Sequence, residues 1–341
     1  MNPASAQARS PTPANPALLA YLRVRADARG VMSFRDFTDA ALYAPALGYY
    51  SAPKLPRVGR RPDSDFYTAS SLGGGVFGQL LRTAAANVLS SEMPSDFTLV
   101  EIAAEPDGGV FGNEATPFAQ VETRCLGDEL ILPSHAVVFA NEWLDAQPFH
   151  RFVFRQGAWR ELGVRIDGDS LEQIELPAIS PAAQSLTENL PSEAPENYHL
   201  DISLDAEKLL REFVATPWRG CLMLADYGYD WEELLHHRPA GTARAYSRHE
   251  ISGDLLARPG EQDLTCHVCW DRLEAILTQA GFDNVRVERQ EAFFMRQAKL
   301  EIERIMTENP GQFSPARRTL MELLHPAHLG QKFQILSARR A

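Results

Sequence analysis

The sequence predicts an α/β fold with a mostly parallel sheet and helices on both of its faces. Three short apolar segments are typical of parallel strands that are buried on both sides: residues 97–102, 136–140 and 221–225. Apolar residues at helical spacing occupy other segments, most clearly residues 77–89, 204–214 and 270–280. Strands that alternate with helices along a chain favour a parallel sheet covered by helices.

Polar or acidic residues stand at the end of each predicted strand. Glu101 ends the first strand, Asn141 and Glu142 follow the second, and Asp226 and Tyr227 follow the third. In open parallel sheets, ligands bind in the crevice beyond the carboxyl ends of the strands. We therefore expect the functional site at this edge of the sheet.

The chain divides into a tail and one domain. Residues 1–30 are expected to be a disordered tail, because their beginning is rich in alanine, proline and serine. Residues 31–341 are expected to form the domain. Within it, residues 31–92 form a helical region that covers the site, and residues 150–200 contain a β-hairpin through Gln156 and Gly157, followed by a polar surface insertion.

Composition excludes several classes of function. The 341 residues are 45% hydrophobic and carry a formal net charge of −12. This charge argues against general nucleic-acid binding, which needs a basic surface, and suits either a basic partner or simple solubility. No segment approaches the roughly 18 consecutive apolar residues that would span a membrane.

The few cysteines indicate a reducing compartment. Cys125, Cys221, Cys266 and Cys269 are the four cysteines of the chain. Cys266 and Cys269 form a single C-x-x-C pair, which is too small for a zinc site, and their place before a helical pattern favours buried thiols over a redox pair. We expect no metal and a cytoplasmic protein, with the mitochondrial matrix as the alternative because the N-terminus also suits a transit peptide.

Five segments, in the same order along the chain, carry a resemblance to a known family. They are FRDF…ALYAP…GYY at residues 34–50, DFYT…VFGQ at 65–79, NEWLDAQP at 141–148, DYG…RPAGTARAY…H at 226–249 and PGEQDLTCHV at 259–268. The sequence resembles the S-adenosylmethionine-dependent methyltransferases that include the mitochondrial complex I assembly factor, a protein arginine methyltransferase, and its bacterial relatives.

The resemblance implies a seven-stranded class I methyltransferase fold, in which S-adenosylmethionine binds at the strand ends. It further implies methyl transfer to a side chain of a protein partner, which is an arginine in the best-known relative. A catalytically inactive scaffold that acts in protein assembly is the alternative. A nicotinamide-dependent oxidoreductase is disfavoured, because no G-x-G-x-x-G follows a strand.

The predicted cofactor loop departs from the family pattern E-x-G-x-G-x-G. The corresponding residues 101–109 read EIAAEPDGG, so that Ala103 and Glu105 stand where the pattern has its first two glycines. Residues 110–117 contain Gly112 and Pro117 and do not predict the long helix that normally follows. Either a rebuilt loop holds the cofactor, or the chain keeps the scaffold without the reaction.

The resemblance and the strand ends together predict the site residues. Catalytic roles are predicted for Glu142, Asp145 and Asp226, since carboxylates there can orient a guanidinium and accept its proton, although Glu142 also suits a helix cap. The predicted cofactor-binding residues are Asp65, Phe66, Thr68, Glu101, Gly108, Gly109 and Asn141. The predicted substrate-binding residues are Tyr227, Arg244, Tyr246 and His249.

Overall fold

The computed structural model describes residues 15–51, 69–105, 109–112, 114–308 and 314–341. The helices are α1 (Pro16–Arg25), α2 (Phe34–Tyr43), α3 (Ala69–Val88), α4 (Gln184–Thr187), α5 (Leu204–Ala215), α6 (Trp231–His236), α7 (Trp270–Gln279), α8 (Gln290–Gln297), α9 (Lys299–Thr307) and α10 (Pro315–Leu324). The strands are β1 (Val31–Ser33), β2 (Thr98–Ala104), β3 (Gln120–Cys125), β4 (His135–Asn141), β5 (His150–Arg155), β6 (Ala158–Asp167), β7 (Ser170–Glu175), β8 (His199–Ile202), β9 (Arg219–Asp226), β10 (Gly228–Tyr229), β11 (Arg244–Ser247), β12 (Glu250–Ser252), β13 (Asp263–Thr265), β14 (Val268–Cys269), β15 (Asp283–Arg289) and β16 (Gln334–Arg340).

The main sheet has six strands in the order β15-β16-β9-β4-β2-β3. The neighbours β3, β2, β4 and β9 are parallel, whereas β16 is antiparallel to both β9 and β15. Helices α3, α8, α9 and α10 pack on one face, and α5 and α7 pack on the other. This arrangement confirms the predicted α/β class.

The prediction of a mostly parallel, seven-stranded sheet is not confirmed. The main sheet has six strands in the described part of the chain, and most of the smaller sheets are antiparallel. One reason is the short connection between β3 and β4, because residues 126–134 alone return the chain across the sheet. A crossover that includes a helix and another strand needs more residues than this.

A second, antiparallel sheet lies in the region where the sequence predicted a hairpin. Its order is β1-β6-β5-β8, with β7 paired to β6. Strands β5 and β6 form the predicted hairpin, and Gln156 and Gly157 at its turn both have positive φ. Helices α1 and α2 pack against this sheet and against β11 and β13.

Residues 16–25 differ from the predicted disordered tail, whose residues 1–14 lie outside the described chain. Asn15 caps helix α1 by accepting a hydrogen bond from the Ala17 amide at 3.0 Å, and Pro16 occupies its first position. Leu18, Leu19 and Leu22 are buried. Their burial against α2 offsets the entropy cost of ordering the helix.

Asp201 on β8 connects the second sheet to the loop that enters β11. Its Oδ2 accepts hydrogen bonds from the amides of Thr242 at 2.8 Å and Ala243 at 2.9 Å. The Arg151 guanidinium lies 3.6 Å from its Oδ1. The second sheet therefore holds in place the strand that carries Tyr246.

Among the residues that the structure describes, no helix combines the length and the apolar character needed to cross a bilayer.

The packing of α1 gives a direct test of its place in the fold. Leu22→Ala removes a fully buried side chain (0% exposed) and should lower the free energy of unfolding by about 2–4 kcal/mol. Val24→Ala on the same helix changes a side chain that is 86% exposed and should change this free energy by less than about 0.5 kcal/mol. Urea denaturation followed by fluorescence measures both. Equal effects would mean that α1 does not pack as described.

Candidate functional site

The candidate site lies at the topological switch point of the main sheet. Strand β2 pairs with β3 on one side and with β4 on the other, so the direction of strand order reverses between β2 and β4. Ligands of open α/β sheets bind in the crevice beyond the carboxyl ends of such a strand pair. Ala104 and Asn141 are the last residues of these two strands.

The loop after β2 is held by the buried side chain of Glu101. Its Oε1 and Oε2 accept hydrogen bonds from the Val110 amide at 3.1 and 2.8 Å. A Cβ atom on Gly109 would lie 2.1 Å from Glu101 Oε2, so a larger residue here would displace the Glu101 carboxyl. Burial raises the pKa of Glu101 to about 7, while the amides of Val110 and Phe111 act in the opposite direction.

Ala103 adopts the conformation that the family pattern assigns to glycine. Its φ is +55°, in the left-handed region, and the pairing of β2 with β3 shifts register between Ile102 and Ala104. A left-handed alanine costs about 1–2 kcal/mol relative to glycine. The backbone is therefore left-handed at the position where the pattern has its first glycine, although an alanine stands there.

The segment that replaces the usual helix after this loop is also anchored. Phe111 and Phe118 are buried in the core next to α3. Arg82 on α3 donates a hydrogen bond to the Phe111 carbonyl and forms an ion pair with Glu114. The packing of these two rings and the bonds of the buried Arg82 thus hold this non-helical segment against α3.

Asp226 organises the loop that follows β4. Its Oδ2 accepts hydrogen bonds from the amides of Leu144 at 3.0 Å and Asp145 at 3.3 Å, and its Oδ1 accepts one from Tyr227 at 2.8 Å. These three bonds allow Asp226 to position the loop, and its predicted catalytic role stays a prediction. Burial raises the pKa of Asp226 to about 7.

Asn141, Glu142 and Asp145 present polar groups into the crevice. Glu142 has a φ of +51°, its amide donates to the Ala225 carbonyl at 2.9 Å, and its Oε1 accepts from Asn141 Nδ2 at 2.8 Å. Within the described residues, Asn141 Oδ1 and Asp145 Oδ1 are buried and accept no hydrogen bond. Buried oxygens without a donor are rare, and a water molecule, an ion or a ligand can supply the donor.

Burial and neighbouring carboxylates favour the protonated forms of Glu142 and Asp145. Burial, followed by the nearby charges of Asp226 and Asp263, raises the pKa of Glu142 to about 8, although the Asn141 amide acts against the shift. Burial, and then the charges of Asp226, Glu142 and Asp263, raise the pKa of Asp145 well above its usual range. A cation in the crevice would stabilise the ionised forms of both groups.

Tyrosines from distant parts of the chain surround these carboxyl groups. Tyr50 donates a hydrogen bond to Asp263 Oδ1 at 3.0 Å, and Tyr43 donates one to the Ala146 carbonyl at 2.9 Å. The rings of Tyr43 and Tyr50 stack with centroids 5.5 Å apart. Burial, together with the charges of Asp145 and Asp263, raises the pKa of Tyr246 to about 12.

The structure brings most of the described predicted residues together. Glu101, Gly109 and Asn141 line the switch point, while Glu142, Asp145, Asp226, Tyr227 and Tyr246 form the neighbouring buried group. Asp65, Phe66, Thr68 and Gly108 lie outside the described residues.

The two remaining predicted substrate-binding residues are Arg244 and His249. The Arg244 guanidinium donates to the carbonyl of Ala243 at 2.6 Å. His249 is exposed in the turn between β11 and β12, where it and Arg248 both have positive φ. Cys266 and Cys269 are buried free thiols, and no cluster suited to a metal ion occurs among the residues described.

Three residues of the group were not predicted from the sequence: Tyr43, Tyr50 and Asp263. They stand within the segments that carry the family resemblance, which was the available signal. Tyr50 and Asp263 are 213 positions apart, and no local pattern indicates that two such residues meet.

Comparisons with known proteins agree with this geometry. The family model described as "Putative S-adenosyl-L-methionine-dependent methyltransferase" matches residues 123–287. A solved structure from Burkholderia thailandensis, bound to S-adenosyl-homocysteine, is 26% identical, has a TM-score of 0.80 and aligns over 97% of this chain and 95% of its own. A native structure from the same organism, 24% identical with a TM-score of 0.78, shows the same fold over the same shares of both chains.

Two curated relatives of the chain have the same name, protein arginine methyltransferase NDUFAF7, mitochondrial. The chain is 21% identical to the mitochondrial protein arginine methyltransferase NDUFAF7 of Danio rerio, over 95% of this chain and 87% of that protein. It is 24% identical to the Mus musculus protein of this name, over 60% of this chain and 45% of that protein, so the chain spans about half the length of that relative. These comparisons confirm the resemblance found in the sequence.

The left-handed conformation of Ala103 predicts an unusual effect of glycine. Ala103→Gly should raise the free energy of unfolding by about 0.5–1 kcal/mol, because relief of the strain exceeds the added entropy of the unfolded chain. The neighbouring substitution Ala104→Gly, in a buried part of β2 without positive φ, should lower it by about 1 kcal/mol. Urea denaturation distinguishes the two, and destabilisation by both would contradict the strain.

The raised pKa of Glu142 predicts a stability difference that depends on pH. The folded protein holds this proton more tightly than the unfolded chain does, so wild-type stability falls as the pH rises from about 4.5 through about 8. Glu142→Gln does not titrate and should become more stable than wild type by about 1 kcal/mol at pH 8, with little difference at pH 5. Thermal unfolding at both values measures this, with exposed Asp169→Asn as the control. A difference that is constant with pH would refute the assignment.

Proposed function

We propose that this chain, an S-adenosylmethionine-dependent methyltransferase, transfers the methyl group to an arginine side chain of a partner protein. The observation that carries the proposal is the group of buried and half-buried carboxyls, with tyrosines beside them, at the carboxyl ends of β4 and β9. Such a group suits a cationic acceptor. The name of the NDUFAF7 relatives supports arginine as the acceptor.

The residues at the switch point fit S-adenosylmethionine. Gly109 leaves room for a close approach to the backbone, and Ala103 keeps the chain in the path that a glycine would give it. Asn141 Oδ1 is a buried acceptor that still lacks a donor among the described residues, and the cofactor carries an ammonium group that can supply one. When bound, the cofactor supplies a methyl group on a positively charged sulfur, which is electrophilic.

The acceptor residues fit a guanidinium. Its planar fork of N–H donors matches pairs of carboxylate oxygens, and its faces stack on aromatic rings. Glu142 and Asp145 offer the carboxylates, and Tyr43, Tyr50 and Tyr246 offer the rings and hydroxyls. A lysine ammonium would use the charge but not the planar arrangement.

The chain's own residues contribute positioning and proton transfer. Asp226 and the Ala225 carbonyl fix the loop that carries Glu142 and Asp145, and orientation of this kind supplies much of the rate of a methyl transfer. The acceptor nitrogen gains the methyl carbon and loses a proton. Glu142 would accept that proton in its ionised form, which a cationic acceptor beside it favours.

The inactive-scaffold alternative has lost the observations that motivated it. The missing first glycine is replaced by an alanine in the same left-handed conformation. The shortened segment after the loop is anchored by Glu101 and Arg82. We therefore propose the catalytic function and not the inactive scaffold.

Methyl transfer from radiolabelled S-adenosylmethionine tests the proposal. Wild-type protein should label arginine in proteins of a cell lysate, identified after acid hydrolysis. Asp145→Asn and Glu142→Gln should each lower the rate by about 100-fold or more, because the acceptor loses an ionic partner, while binding of S-adenosylhomocysteine stays within about threefold. Asp169→Asn, whose side chain is 85% exposed, is the matched control. Label on another residue type, or none, would reject the proposal.

A further inference from the structure

Three carboxyl groups of the site lie close together without a basic partner: Asp145 and Asp226 are buried, and Glu142 is half-buried. Glu142, Asp145 and Asp226 form no ion pair with an arginine, lysine or histidine within the described ranges 15–51, 69–105, 109–112, 114–308 and 314–341. Carboxylates that lose water on burial are costly unless a counter-charge or a proton compensates them. Backbone amides compensate Asp226 and the Asn141 amide compensates Glu142 in part, whereas Asp145 Oδ1 has no donor among the described residues, so burial favours the protonated form of Asp145.

Asp145 differs from Asp226 in having an oxygen left to bind a ligand. Asp145 is 4% exposed, and its Oδ1 is buried without a hydrogen-bond partner among the described residues. Both oxygens of Asp226, in contrast, accept backbone amides. Asp145 is thus a buried acceptor that awaits a donor, with Glu142 beside it on the same loop.

The groups that face this pair come from each element packed around the crevice. They are Glu105 after β2, Asp226 and Tyr227 at the end of β9, Arg244 and Tyr246 on β11, Asp263 on β13, Cys266 before β14, and Tyr43 and Tyr50 from α2 and the segment after it. Arg244 is the basic group of this set, and its guanidinium donates to the Ala243 carbonyl.

We infer that the acceptor side chain enters this site as a cation and displaces a proton from Glu142 and Asp145, so that acceptor binding releases protons and tightens as the pH rises. The inference rests on the proposed function and adds how its acceptor is recognised. The geometry behind it is a cluster of carboxyls with tyrosines beside it, in which Asp145 Oδ1 is buried and accepts no hydrogen bond from the described residues.

The direction of the pH effect follows from the raised pKa values. Below about pH 8 the free protein keeps a proton on Glu142, and the raised pKa of Asp145 acts in the same sense. A guanidinium stays charged throughout this range and favours the ionised carboxylates, so its binding lowers their pKa. Proton release should therefore be largest near pH 7 and fall towards zero above about pH 9, where the free protein has already lost these protons.

Calorimetric titration tests this with the peptide Gly-Arg-Gly added to protein saturated with S-adenosylhomocysteine. At pH 7, the heats in phosphate and in Tris should differ by the equivalent of about one proton released per peptide bound. Affinity should rise about 50-fold from pH 6 to pH 8, because release of one proton changes it by about tenfold for each pH unit below the pKa of the free group. The same peptide with citrulline, which is neutral and of similar shape, should bind at least about tenfold more weakly and release no proton.

Variants show whether the carboxyls cause the release. Asp145→Asn should bind Gly-Arg-Gly at least about tenfold more weakly and release less than half as much proton, while it still binds S-adenosylhomocysteine, which reports that it is folded. Asp169→Asn should match wild type. Equal heats in the two buffers, equal affinity for the citrulline peptide, or no saturable binding of Gly-Arg-Gly would each overturn the inference.

The same preparations separate this inference from the proposed function. Arginine methylation without proton release would reject the inference and leave the function standing. Proton release on Gly-Arg-Gly binding without any methyl transfer would support the inference about the site and reject the function.

Discussion

The candidate site depends on one interaction, the acceptance of backbone amides by the buried carboxyl of Asp226. Strand β9 ends at this residue, and the loop after the neighbouring strand β4 folds over it. Without these bonds the amides of Leu144 and Asp145 would be buried without acceptors, which is costly. The loop therefore has one low-energy path, and that path places Glu142 and Asp145 beside the crevice.

The two strand ends that border the candidate site both contain a residue with strained backbone. Ala103 after the body of β2 and Glu142 after β4 both adopt left-handed backbone, which non-glycine residues seldom do. Such conformations persist where the surrounding structure enforces them, and they are concentrated at functional sites. In this chain Glu101 and its bond to Val110 enforce the first, and Asp226 with the Ala225 carbonyl enforces the second.

Sequence reasoning located the three central strands and the polar residues at their ends, because burial on both faces gives continuous apolar runs with sharp limits. It did not find helix α1, since alanine and proline dominate the preceding residues and the apolar positions Leu18, Leu19 and Leu22 are few. It also missed Tyr50 and Asp263, whose contact depends on tertiary structure alone. The glycine count of the cofactor loop misled, because a pattern of residue types records preference for a backbone conformation and not the conformation itself.

The position of β16 has a consequence for how the protein is made. This strand is the last of the main sheet in chain order, yet it lies between β9 and β15 and is hydrogen-bonded to both. Because residues are synthesised in order, β9 and β15 cannot be joined in the sheet before residues 334–340 have been made. The hydrogen bond between Tyr50 and Asp263 likewise forms only after Asp263 has been made. Contacts between residues this far apart in sequence slow folding and leave partly folded chains with open strand edges. Until β16 is inserted, the edges of β9 and β15 that it pairs with stay open.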